Sequence, residues 1–208
     1  MNLKSHWEKI YTTKKINEVS WFQPTPQVSL DFINELGIPK DAAIIDVGGG
    51  DSFLVDHLLL AGYTNITVLD ISATAIKRAK ERLAGNARSV KWVVCDINEF
   101  VPVSNYDCWH DRAVFHFLTT EKEIKNYLAI ANKALSERGK IIIGTFSLSG
   151  PPTCSGLPVK QYSENSLAGA IKKWFQKIKC IRTDHITPFN TIQNFLFCSF
   201  KKINHGLS

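Results

Sequence analysis

Ile44-Ile45-Asp46-Val47-Gly48-Gly49-Gly50-Asp51-Ser52 is the stretch on which the fold turns. Ala42 to Val47 is a short apolar run that stops on three glycines, and Phe53 to Ala61 is a second apolar stretch that closes on Gly62. This spacing reads as strand, glycine turn, helix. Small residues at such a turn let the backbone approach a ligand closely, next to the positive end of a helix.

The same alternation continues downstream. Asn65–Leu69 reads as a strand, Ser72 as a helix cap, and Ala73–Leu83 as a helix with Ile76, Ala79 and Leu83 turned inward. Val90–Val94 and Tyr106–Trp109 are the third and fourth strands. Glu121–Ser136 is a long amphipathic helix, and Lys140–Thr145 is a fifth strand after a break at Gly139. Ser163–Lys173 is helical, and Phe175–Thr183 and Gln193–Lys201 alternate like strands joined through Pro188, which predicts a terminal hairpin. Upstream, Thr25 reads as an N-cap with Pro26 at the first helical position and Gly37 as a stop. Strands alternating with helices imply a parallel sheet covered on both faces. We expect one domain over 1–208, with a helical lid at 1–36 and a Rossmann-like α/β core at 42–208.

In an open parallel sheet, ligands bind beyond the carboxyl ends of the strands. Asp46, Asp70 and Asp96 fall at the ends of the first three strands. A dinucleotide turn would carry a third glycine, but Phe53 stands in its place. Asp46 and Asp51 also put negative charge beside the turn, which disfavours a pyrophosphate and suits a cationic ligand. Asp70, 24 residues after Asp46, can accept from both hydroxyls of a ribose. Asp96 can accept from an adenine amine while Ile97 packs on the ring. Each acid has a local explanation as a cap or turn residue. Their placement at three successive strand ends is what points to a nucleoside.

Through Ile44–Ser52, Val68-Leu69-Asp70-Ile71-Ser72 and Val93-Val94-Cys95-Asp96-Ile97, the chain resembles the class I S-adenosylmethionine-dependent methyltransferases. The resemblance implies a three-layer α/β/α sandwich whose seven-stranded, mostly parallel sheet has its last strand antiparallel. It also implies S-adenosylmethionine as cofactor, with Asp46, Gly48, Gly49 and Gly50 at the methionine end, Asp70 and Ile71 at the ribose, and Asp96 and Ile97 at the adenine. Trp109-His110-Asp111-Arg112 is similar to a Trp-Asp-Arg stretch of thiopurine-type methyltransferases, with His110 inserted, and Gly150-Pro151-Pro152 is similar to a turn of that group. The likeness gives Arg112 to the cofactor carboxylate. Trp7, Tyr11 and Trp21 resemble that group's aromatic N-terminal cover, with Phe22 and His116 as expected substrate contacts.

A sulfonium methyl is already activated, so in-line placement of the acceptor is the main requirement. A thiol or other soft acceptor needs little else, whereas an oxygen or nitrogen acceptor needs a base, for which His110, Asp111 and His116 are the candidates. For His116 a buried packing role is the stronger alternative.

Composition bounds the partners. Residues 1–159 hold 17 basic and 17 acidic side chains and residues 160–208 hold 8 and 2, so the net +6 lies wholly at the C-terminal end. A solvated surface accounts for it, and aromatic-interleaved RNA-binding motifs are absent. The five cysteines show no C-x-x-C pair and no metal-ligand spacing, so reduced thiols and no metal are expected. No stretch has the length and apolarity of a membrane span or a leader. The expectation is a cytoplasmic monomer or weak dimer that methylates a small molecule, with a protein lysine methyltransferase or an inactive S-adenosylmethionine-binding protein as alternatives. A nucleic-acid substrate and a nicotinamide dehydrogenase are disfavoured.

Overall fold

The polypeptide is described here over residues 2–203 of a computed structural model; residue 1 and residues 204–208, the ends of the expected domain, lie outside the described residues. Helix α1 (Leu3–Thr13) and helix α2 (Gln27–Glu35) precede the sheet. Then come β1 (Ile44–Val47), α3 (Leu54–Leu60), β2 (Ile66–Asp70), α4 (Ala73–Leu83), β3 (Val90–Val94), β4 (Tyr106–Arg112), α5 (Glu121–Ala134) and β5 (Leu135–Phe146). A two-residue pair, β6 (Thr153–Cys154) and β7 (Leu157–Pro158), leads to α6 (Glu164–Ile171) and to the hairpin β8 (Phe175–Ile186) and β9 (Ile192–Lys202).

Seven strands form one sheet in the order β3-β2-β1-β4-β5-β9-β8. Strands β1 to β5 pair in parallel, and β9 runs antiparallel to both β5 and β8. The expected sheet with one antiparallel strand, the last in sequence, is therefore present. Because strand order reverses between β1 and β4, their carboxyl ends open a crevice. Alternation along the strands supplies two apolar faces. Ile44, Val68 and Ile142 pack with Phe32, Leu54, Leu58 and Ile76 of α2, α3 and α4. Ile45, Trp109, Ile141 and Ile143 pack with Tyr127, Leu128, Leu167 and Ile171 of α5 and α6. Helices thus cover both faces.

Local signals set several boundaries. Ser72 caps α4 by accepting from the Ala75 amide at 3.1 Å, and Thr120 and Glu123 form a capping box that starts α5. Elsewhere the expected bounds need correction. Helix α2 starts at Gln27, because Pro26 has ψ of 64° and stands outside the helix as its cap in place of Thr25. Strand β4 runs on to Arg112, past Trp109, because it pairs on both sides with β1 and β5. Strand β5 begins at Leu135, so Gly139 lies inside it, and α5 ends at Ala134.

The thiol expectation is also corrected. Cys180 and Cys198 face each other across β8 and β9 and form a disulfide with Cα atoms 4.1 Å apart, while Cys95, Cys108 and Cys154 are free. Hairpin register, not sequence spacing, brings the pair together. Part of the C-terminal basic excess is absorbed by the fold: Lys179 pairs with Glu35 at 2.6 Å, Lys177 with Glu164, and Lys202 donates to the carbonyls of Asn132 and Leu135 near the end of α5. Among the described residues, no helix is long and apolar enough to cross a membrane.

Candidate active site

The turn after β1 forms the floor of a cleft. Gly48 has φ of +67°, and a Cβ there would collide with the Val114 side chain; a Cβ on Gly49 would run into the Asp46 carboxylate. Only glycine lets the chain turn this tightly between β1 and β4. Asp46 is almost completely buried, and its Oδ1 accepts from His110 Nδ1 at 2.7 Å.

At the end of β2, Asp70 is 5% exposed. Its Oδ1 accepts from the Ser72 amide at 2.8 Å, and its Oδ2 accepts no hydrogen bond among the described residues. Burial lifts this carboxyl to about 7, helped by the charges of Asp46, Glu8 and Asp51 and opposed by the Ser72 amide. At the end of β3, Asp96 accepts from the Asn98 amide at 2.8 Å, and Ile97 is buried beside it.

Arg112 reaches in from the end of β4. Its Nη1 donates to the Trp21 carbonyl at 3.0 Å, its guanidinium lies 5.1 Å from the centre of the Phe195 ring, and its buried Nη2 has no partner. Burial lowers it to about 10, which leaves it cationic at neutral pH. It projects from a strained turn: Ala113 has φ of +76°. Asp111 holds that turn by accepting from the Val114 and Phe115 amides at 2.9 and 3.3 Å and from the Tyr127 hydroxyl at 2.5 Å.

Over these strand ends lies α1. Trp7 meets Trp21 and Phe117 edge-on, at 5.8 and 5.2 Å between ring centres, and Tyr11 meets Trp21 at 6.2 Å. The helix buries no residue fully, so polar clamps hold it. Glu8 accepts from the Ala73 and Thr74 amides at 2.5 and 3.2 Å, at the positive N-terminus of α4. Arg78 of α4 donates to the carbonyls of Tyr11 and Lys14, both at 2.9 Å.

Together these elements line one open cleft. Of the expected residues, Trp7, Tyr11, Trp21, Asp46, Gly48, Gly49, Asp70, Ile71, Asp96, Ile97, His110 and Arg112 all line it. Gly50 stands behind, against Asp70 and Ala75, and Phe22 lies in an adjoining recess beside Phe53. Asp111 and His116 are not part of the lining. Asp111 is engaged by the β4 turn, and His116 packs tilted against Phe146 and edge-on against Phe117 with both ring nitrogens unpartnered, its imidazole pushed down to about 3 by burial. Both side chains are thus engaged away from the cleft lining.

The charge argument also shifts. Asp51 is paired with Arg82 at 2.6 Å and Arg78 at 3.0 Å, so the carboxylates lining the cleft are Asp46, Asp70, Asp96 and Glu123. Ser29, Phe117 and Cys154 line the cleft as well, although the sequence reading had not singled them out. For Ser29 a signal existed: it is a hydroxyl on the same helical face as Phe32 and Ile33. Cys154 had none.

Residues 45–141 match the family model for a methyltransferase domain. The solved N-methyltransferase NodS from Bradyrhizobium japonicum WM9, in complex with S-adenosyl-L-homocysteine, superposes with a TM-score of 0.74 at 16% identity, over 98% of this chain and 100% of that one. The fold is that of a Rossmann-like methyltransferase. Among curated relatives, the malonyl-[acyl-carrier protein] O-methyltransferase 1 of Ilyobacter polytropus is 30% identical over 112 residues, 53% of this chain and 40% of the relative. The eEF1A lysine and N-terminal methyltransferase of Bos taurus is 24% identical over 138 residues, 66% of this chain and 19% of the relative. This chain therefore spans less than half the length of either of these two relatives.

Proposed function

We propose that the cleft binds S-adenosylmethionine and that the chain transfers its methyl group to a small-molecule acceptor. The observation that carries this reading is the convergence of Asp46, Asp70 and Asp96, from three successive strand ends, on one cleft floored by Gly48 and Gly49. The residues fit the cofactor group by group. Asp70 would accept from the ribose hydroxyls through its unpartnered Oδ2, and Asp96 and Ile97 would hold the adenine. Asp46 would face the ammonium, and the orphaned Nη2 of Arg112 would take the carboxylate. When bound, the cofactor supplies an electrophilic methyl on a sulfonium. The protein's part is to bind, orient and exclude water, the last through Trp7, Tyr11 and Trp21. The aromatic cover keeps the thiopurine-type likeness as part of the proposal.

Titration calorimetry with S-adenosylhomocysteine and with NAD tests the cofactor: binding of the first and not the second is expected, and the reverse would overturn the reading. A second reading, transfer to a protein lysine, is favoured by the eEF1A methyltransferase among the relatives. Incubation with a labelled methyl donor and cell extract separates the two. Label in small molecules supports the first, and label confined to protein supports the second.

A further inference from the structure

Three buried side chains in the cleft wall form an unbroken hydrogen-bonded line. His110 Nδ1 lies 2.7 Å from Asp46 Oδ1, and His110 Nε2 lies 2.9 Å from Ser29 Oγ. Their exposures are 2%, 2% and 1% for His110, Asp46 and Ser29. A carboxylate only accepts, so Nδ1 carries a proton, and with Nε2 unprotonated the Ser29 hydroxyl donates to it. The line thus runs from the Asp46 carboxylate, through the imidazole, to the oxygen of Ser29, a residue of the cleft lining.

The neighbouring groups are otherwise engaged: Glu123, which also lines the cleft, accepts from the Thr120 amide and hydroxyl. Arg112 is a cation. Burial pushes the Cys154 thiol up to about 11, so it stays protonated. Asp111 faces the other side of β4, where the Val114 and Phe115 amides and Tyr127 hold it, and Ile142 of β5, in register with His110, is apolar. Asp70 lies at the end of β2, two strands away from β4.

We propose that Ser29 is the residue through which a protic methyl acceptor, one bearing a hydroxyl or an N–H, loses its proton to His110. The inference rests on the methyl-transfer reading above. As the acceptor atom forms its new bond to the methyl carbon, its proton passes to Ser29 Oγ while the proton of Ser29 passes to His110 Nε2. The electrons of the broken carbon–sulfur bond stay on sulfur. The positive charge lost there reappears on the imidazolium, against Asp46, and His110 later returns its proton to solvent through Ser29. Ser29 is the group in contact with the acceptor; Asp46 acts through His110 as a positioning residue.

Two measurements test this. Long-range proton–nitrogen NMR of the free protein reads the His110 tautomer, and a proton on Nδ1 with none on Nε2 is expected. A proton on Nε2 removes the sink and overturns the relay. In parallel, labelled methyl transfer from S-adenosylmethionine to a panel of phenols, alcohols, amines and N-heterocycles compares wild type with Ser29→Ala and Ser29→Thr. General-base removal predicts a loss of ~100-fold or more in Ser29→Ala, with unchanged S-adenosylhomocysteine affinity and loss of the rising limb of the pH–rate profile. Ser29→Thr, which keeps the hydroxyl, restores both. Equal rates in Ser29→Ala sink the relay and leave methyl transfer standing. A joint loss of cofactor affinity and rate assigns Ser29 a packing role and also overturns the relay. A wild type that binds S-adenosylhomocysteine but labels nothing in the panel overturns methyl transfer to a protic small molecule, and the relay with it.

Discussion

Asp70 and Asp111 are both buried carboxylates at strand ends, raised by burial to about 7 and about 6 respectively, yet they differ in how fully they are hydrogen-bonded. Asp111 accepts from two amides and a tyrosine hydroxyl, and its second oxygen joins a line that runs through Tyr127 to the indole N–H of Trp109, 2.8 Å from the Tyr127 oxygen. Asp70 lines the cleft and accepts from one amide through Oδ1, and its Oδ2 accepts no hydrogen bond among the described residues. A buried acid whose acceptors are all engaged is committed to the fold. One left short of donors carries an unmet acceptor, whose cost a bound donor would recover.

Removing each acid should separate the two roles. Asp111→Ala strands two amides and a hydroxyl, at roughly 1–3 kcal/mol per orphaned group, so a fall in stability of about 3 kcal/mol or more is expected. For a domain of this size that is roughly 6–12 °C in Tm by calorimetry, with S-adenosylhomocysteine affinity retained by the folded fraction. Asp70→Ala should do the converse, weakening S-adenosylhomocysteine by about 100-fold, near 2.7 kcal/mol, with Tm unchanged or raised. An Asp70→Ala protein that unfolds while keeping affinity would erase the distinction.

Protonation sharpens the comparison further. A carboxyl raised in the folded state binds its proton more tightly there than in the unfolded chain, whose reference value is about 3.9. The stability it contributes is therefore full below about pH 4 and is lost as the pH rises through about 6 for Asp111 and about 7 for Asp70. Ribose hydroxyls donate to the ionised form, so S-adenosylhomocysteine affinity should rise about tenfold between about pH 6 and about pH 8. Asp70→Asn should flatten that rise, measured by calorimetry at the two pH values. Smallest of the set is Ala113→Gly, which relieves a left-handed residue in the turn that Asp111 holds. A gain of about 1 kcal/mol in chemical denaturation is expected, and a loss would show that the Ala113 methyl packs more than it strains.

Much of the site was readable from short stretches of chain. Ser72 and the periodicity behind it predict α4 over 73–83 as observed, and β3 falls on 90–94. Capping and alternation act over a few residues, so the strand ends, and with them Asp46, Asp70 and Asp96, follow from local pattern. His110 and Asp111 were less tractable. They interrupt an apolar strand, so β4 seemed to end at Trp109, whereas pairing with β1 and β5 carries it through both.

By itself, then, the amino-acid order determined the alternation of strands and helices, the glycine turn and the three acids placed at strand ends. Tertiary structure alone decided which charges stay available. Asp51 is neutralised by arginines of α4, Ser29 meets His110 across 81 residues of chain, and Cys180 finds Cys198 across a hairpin. The reason is physical: turns, caps and alternation are satisfied by near neighbours in the chain, whereas a buried polar group takes its partner from whichever distant element the packing brings within hydrogen-bond reach.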